Sequence, residues 1–274
     1  MFGIAGIFNS VFTKIFDIIC IPFLKLNPIW AMIFISFVAG IMMLWIFGKV
    51  SNQDAIKKVK NKIKGNMIGV RLYGNDIGVV LKLQGIILKD TLIYMKYSVI
   101  PMLVMMIPVI LIIIQLNLRF SVAPLEPGQS IIVNVKLRDI SEVPVLEVPD
   151  GVVMETSGIF IPSENEVSWR IRADKPGNYN LTIKTNSESI SKELIAGSGW
   201  GDISALKTGK DIWEVFLFPG EKPINSNSPI ESIEIKYKEL KTPVFGFNIH
   251  WLVHFFILSI VFGFAFKGVF GIQI

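Results

Sequence analysis

Twenty consecutive residues from Pro28 to Phe47 (PIWAMIFISFVAGIMMLWIF) carry no charged side chain. A chain with such a run must hide it in a protein core or place it in lipid. As a helix rising 1.5 Å per residue the run covers about 30 Å, the thickness of a bilayer's hydrocarbon layer. Ser98–Leu118 and Ile249–Phe266 behave alike, apart from His250 and His254 in the last. A buried core helix would be shorter and would show polar residues at one point of its period, so three transmembrane spans are expected. With 51% of residues apolar and 18% charged, the composition also disfavours a soluble single domain.

Charge sets the expected orientation. Residues 49–97 hold ten Lys/Arg against three Asp, a balance of +7, whereas residues 119–245 hold fourteen basic against eighteen acidic, a balance of −4. Short basic loops stay on the cytoplasmic side. This places 49–97 inside, the N-terminus and 119–245 outside, and the C-terminus inside with Lys267 at the inner face. The net charge of +5 thus comes from one segment, and a specific nucleic-acid partner is not expected.

Residues 2–21 are apolar but carry Asn9, Lys14 and Asp17, with the two charges three apart on one helical face. Such a helix is expected to lie in the outer interface until Pro22 ends it, with a fourth span as the alternative. A cleaved signal peptide is not expected, because a basic start and a small-residue cleavage site are missing.

After the first long run, Ser51 is a natural N-cap. Ile56, Val59, Ile63, Met67 and Val70 form an apolar stripe, with Lys57, Lys60, Lys64 and Arg71 about 100° away. Gly74-Asn75-Asp76 marks a turn, and a second helix to Tyr97 carries Val80, Ile87 and Leu88 beside Lys82, Lys89 and Lys96. The expectation is a cytoplasmic antiparallel helical hairpin of coiled-coil type over 49–97. Its basic stripe has two open readings: a solvated face beside anionic lipid, or a site for a ribosome, nascent chain or other anionic partner.

From Pro124 the pattern changes to strands. PGQSIIVNVKLRD, VSWRIRAD, GNYNLTIKT and SISKELIAG alternate apolar and polar residues between turns. An extracytoplasmic all-β Ig-like sandwich of about seven strands is expected over 119–245, with loops at 196–212 and 218–230. The full division is 1–27 interfacial helix, 28–48 first span, 49–97 hairpin, 98–118 second span, 119–245 sandwich, and 246–274 third span with the C-terminus.

Chemistry is sparse. His250 and His254, four apart, are weak metal or pH-response candidates against the reading of a satisfied interfacial pair, and no third ligand sits at a diagnostic spacing. Cys20, the single cysteine, reads as a small apolar residue. No nucleophile elbow, phosphate loop or Cys/His cluster is present in the sequence, so no enzyme and no cofactor are expected. Gln115, Asn117 and Arg119 close the second span, where snorkelling accounts for them. Pro101 and Pro108, seven apart, predict a kink in that span.

The order of an amphipathic outer helix, a span, a basic cytoplasmic hairpin and a proline-containing span resembles the YidC/Oxa insertase superfamily. The resemblance is carried by IFDIICIPFLKLNPIWAMIFI, SNQDAIKKVKNKIKG and SVIPMLVMMIPVI. It is nearest the minimal three-span members, such as the insertase subunit of the ER membrane complex and the archaeal YidC-like proteins. Members shelter polar stretches of an incoming membrane protein in a hydrophilic groove open to the cytoplasm. The chain departs in having no arginine between Trp30 and Phe47 and in adding the outer sandwich.

The resemblance implies an insertase-like or membrane-chaperone function in a bacterial or archaeal cell membrane. Met42, Met43, Pro101, Met102, Met105 and Pro108 would then contact client helices, and Lys57, Lys60, Lys64 and Arg71 would meet nascent chain, ribosome or lipid. Methionine's softness suits varied apolar partners, though it suits lipid equally. The rival expectations are a membrane-anchored scaffold whose sandwich binds an extracytoplasmic protein, and a sensor coupling an outer ligand to the hairpin.

Overall fold

The computed structural model describes residues 2–138, 143–241, 243–244 and 247–272. The expected boundary at 245/246 lies outside the described residues. The chain forms two compact units, Met1–Ala31 with Ile113–Trp251 and Met32–Ile112 with Leu252–Ile274.

The helices are α1 (Phe2–Cys20), α2 (Pro28–Val50), α3 (Gln53–Leu72), α4 (Ile77–Phe120), α5 (Ile212–Leu217) and α6 (Trp251–Phe266). α2 and α4 are long and apolar enough to cross a membrane; α6, at 16 residues, is shorter than the third span expected. A 3₁₀ turn over Ile21–Phe23 holds Pro22 and closes α1, as that proline predicts.

The hairpin forms with two corrections. The side chain capping α3 is Asn52, whose Oδ1 accepts from Ala55 N at 3.0 Å, while Ser51 turns back to donate to Phe47 O. No break separates the second arm from the apolar run: α4 is one helix of 44 residues, about 66 Å long. Pro101 and Pro108 lie inside it. Each removes one hydrogen bond to the preceding turn without ending the helix. Asp76 caps the start of α4, accepting from Val79 N at 3.1 Å.

Packing sets an antiparallel register in which 62 faces 90 and 69 faces 83. Lys62 Nζ donates to the buried Asp90 at 3.0 Å, and a Cβ on Gly69 would stand 3.1 Å from Leu83. Ile56, Val59, Ile63 and Val70 face inward as expected, but Met67 is exposed and Asn66 takes its place. On α4, Val80 and Ile87 are partly covered while Leu88 is exposed.

The β domain is built from β1 (Ser130–Leu137), β2 (Val145–Glu147), β3 (Val152–Met154), β4 (Ile159–Ile161), β5 (Glu166–Ala173), β6 (Gly177–Lys184), β7 (Ser189–Ala196), β8 (Leu206–Thr208) and β9 (Ile230–Ile235). One sheet runs β3-β5-β1-β9-β8 with β4 also on β5; the other runs β2-β6-β7. The strand pairs within both sheets are antiparallel. A short ribbon, β10 (Pro243–Val244) with β11 (Phe247–Asn248), precedes α6.

The four strands expected from alternation are β1, β5, β6 and β7. Their inward residues, among them Val133, Val135, Trp169, Ile171, Leu181, Ile183 and Leu194, form one core shared by the two sheets. The domain is therefore sandwich-like, with nine strands in its two sheets among the described residues rather than about seven. β8 and α5 occupy stretches expected to be loop or loop edge. Gly151 has φ +91°, a backbone state that disfavours side chains, and turns the chain beneath Tyr179.

Candidate functional site: an apolar cleft with a helical approach

Within the second unit a cleft of about 620 Å³ opens between α2, α4 and α6. Close helix contact builds one wall. A Cβ added at Gly40 would lie 2.8 Å from the Ser259 carbonyl oxygen, so α2 and α6 meet where a side chain is missing. Phe37 closes the seam with edge-on contacts to Phe262 and Phe266, at centroid distances of 5.3 and 5.6 Å.

The lining is apolar: Met43, Leu44 and Phe47 from α2, Met95, Val99, Met102 and Met105 from α4, and Phe256, Ile260 and Phe264 from α6. Hydroxyls reach it from Tyr94, Ser98 and Ser259. The two serine hydroxyls are already used within their own helices, Ser98 donating to Tyr94 O and Ser259 to Phe256 O, each at 3.1 Å. The cleft therefore favours hydrocarbon, and a polar guest would find few hydrogen-bond partners in it.

Three of the six client-contact residues expected from the sequence, Met43, Met102 and Met105, line this cleft; Met42, Pro101 and Pro108 are absent from its lining. In the basic stripe, Lys57, Lys64 and Arg71 are exposed, and Lys60 is partly covered.

The sequence reading missed a second stripe, on α4. Ile77, Leu81, Leu88, Leu92, Met95, Val99 and Met102 are all exposed. At 100° per residue they fall within a sector of about 80° on one side of the helix. Lys82, Lys89 and Lys96 form a parallel row about 100° around the same helix. The apolar row runs from the hairpin tip to the cleft, where Met95, Val99 and Met102 join its lining, with one gap of a turn at Gln84. The signal lies in the periodicity, but it is masked by the inward apolar face that the same arm turns toward α3.

The first unit carries further buried charges. Arg119 is 2% exposed, so snorkelling does not account for it. Its guanidinium donates to Gln115 Oε1 at 2.8 Å, to Thr13 O at 3.2 Å and to the Asp17 carboxylate. Asp17 is thus the partner of Arg119, tying α1 to the end of α4.

In the β domain the outer edge of β7 is covered without another full-length strand. Tyr237 Oη accepts from Ile195 N at 2.9 Å, Glu221 accepts from Glu193 N at 3.4 Å, and Lys207 Nζ donates to Ser191 O at 2.7 Å. Glu221 also holds Lys192, which is fully buried. Burial lowers the Lys192 ammonium from the usual lysine range, against the opposing pull of Glu221.

Among the described residues no group of three His, Cys, Asp or Glu could hold a metal ion, so His250 and His254 gain no third ligand there. No protein-family model matches the chain, and no curated protein matches it in sequence.

Proposed function

We propose that the protein spans the membrane three times, with the basic hairpin in the cytoplasm and the β domain outside, and acts as an insertase-like membrane chaperone. The observation that carries this reading is the exposed apolar row on α4, leading from the hairpin tip into the cleft. An apolar segment of a nascent membrane protein would meet the tip beside the lysines. It would then follow the row into the membrane without full exposure to water.

Membrane placement is supported by α2, whose exposed residues Trp30, Phe34, Val38 and Trp45 lie at steps of four and seven. The two tryptophans are about 22 Å apart along the helix, suited to the two interfaces of a bilayer. The basic stripe supports the cytoplasmic assignment.

Cleft size limits what is held. A helix about 11 Å across has a section of roughly 95 Å², so the cleft seats little more than one helical turn. The reading is therefore transient handling of apolar segments, one turn at a time. A hydrophilic groove for polar stretches, which the superfamily resemblance implies, finds no support in this lining.

Photocrosslinkers placed at Leu88, Met43 and Met105 of the full chain in cells test the reading. Capture of nascent membrane proteins at all three positions is expected. Capture of mature extracytoplasmic partners alone, through the β domain, would replace the chaperone with the scaffold. A topology reporter near Asn75 that reads as external would overturn the orientation.

A further inference from the structure

A helix on a water-exposed surface normally turns its apolar side inward and its polar side outward. α1 turns polar groups inward beside apolar ones and leaves part of its apolar surface outward. Asn9, Thr13, Phe16 and Cys20, at steps of four, three and four, form its inward face. Asn9 Nδ2 donates to Val215 O at 2.9 Å, Thr13 Oγ1 accepts from Gln115, and Asp17 beside them holds Arg119. Val11, Ile15 and Ile18, at steps of four and three, are exposed about 200° around the helix. The exposed apolar surface continues through Ile21, Leu24 and Leu26.

α5 packs against α1 and also leaves apolar side chains exposed. Its Val215 is buried, while Ile212, Trp213 and Leu217 are exposed, Trp213 to 74%.

We infer that α1 and α5 form a lipid-contacting platform that seats the β domain on the outer surface of the bilayer. Val11, Ile15 and Ile18 reach acyl chains, and Trp213 lies among the headgroups. The inference rests on the spanning topology proposed above, not on client handling.

Four observations select lipid as the occupant. The polar groups of α1 named above are already bonded inward, leaving an outward stripe of hydrocarbon. Only Leu24–Asn27 separate the 3₁₀ turn from α2, so the end of that turn can lie no more than roughly 18 Å of extended chain from a helix read as a span. The charges flanking the stripe, Lys14 and Lys25, are exposed and basic, which suits anionic headgroups. Trp213 has the apolar body and polar edge that favour the interface.

The test uses the full chain carrying Cys20→Ala and a single spin-labelled cysteine, introduced in turn as Val11→Cys, Ile18→Cys, Trp213→Cys, Glu164→Cys or Val38→Cys. Each variant is reconstituted into phosphatidylethanolamine–phosphatidylglycerol vesicles. Collision with oxygen, which partitions into lipid, is compared with collision with a water-soluble nickel chelate. The oxygen-to-nickel ratio at positions 11 and 18 is expected to exceed that at 164 several-fold, with 213 intermediate. Ratios at 11, 18 and 213 equal to that at 164 overturn the platform. So does shielding that appears only in native membranes, which would mean a protein cover. Val38 on α2 separates the two failures: a water-like ratio there would refute the spanning topology itself.

Discussion

Glu221→Gln isolates the charge that closes the β domain. Glu221 is 12% exposed and faces two buried ammonium groups: Lys192, fully buried, and Lys207, 10% exposed at 3.7 Å. The amide keeps the size of the carboxylate but removes its charge, leaving both lysines without their shared counter-ion. Removing one partner of a buried pair costs about 3–5 kcal/mol, chiefly because the other charge stays buried. For a unit of this size that corresponds to a fall of roughly 6–20 °C in Tm.

Near-UV circular dichroism of the full-length protein, to which the core residue Trp169 contributes, follows the transition. Lys192→Met should cost less than Glu221→Gln, since Lys207 remains for Glu221. The double variant Lys192→Met/Glu221→Gln should lose clearly less than the two single losses added together. A Glu221→Gln transition within about 2 °C of the parent, or strict additivity in the double variant, would refute the electrostatic argument.

Asp17→Asn should loosen α1. Because Asp17 is 43% exposed, the loss is discounted to about 1–3 kcal/mol. Cys20, buried under the same helix, should then react with maleimide roughly 5- to 150-fold faster if labelling follows local opening. Gly40→Val places a side chain against the Ser259 carbonyl and should push α2 from α6; disulfide crosslinking between cysteines at Phe37 and Phe262 should fall sharply. Asp90→Leu should leave the hairpin unchanged or stabilise it by up to about 2 kcal/mol, because one carboxylate oxygen of Asp90 is buried without a hydrogen-bond partner among the described residues. Helical melting by far-UV circular dichroism reads that outcome, and a large loss would show that the Lys62 pair dominates.

Elements governed by a single periodicity were readable in advance. The alternation in SIIVNVKL and EVSWRIRA places Val133, Val135, Val167 and Trp169 in the core with no tertiary information, because each strand has one face to satisfy. The hairpin's turn and basic stripe were readable for the same reason.

What escaped prediction depended on partners distant in the chain. Arg119 looked like an interfacial residue because Asp17, which satisfies it, lies 102 positions earlier. Met67 and Asn66 exchange expected places because α3's inward side is defined by α4, and residue spacing alone cannot decide between neighbours. The expected boundary at 97/98 followed a change in composition, yet no residue there supplies a helix stop. The cleft was the least legible feature, since it exists only where three segments remote in sequence converge on Gly40.

The way β7 is closed imposes an order on how the β domain can mature. Hydrogen bonding leaves Ile195 N to wait for Tyr237, which emerges 42 positions later. Glu193 N likewise waits 28 positions for Glu221. Until those residues are in place, the β6–β7 hairpin carries a bare, adhesive margin that could recruit a stray strand from a neighbouring chain. Completion of the domain therefore depends on its own downstream sequence: a chain ending before Glu221 would leave the margin sticky, whereas one that continues past Tyr237 would not.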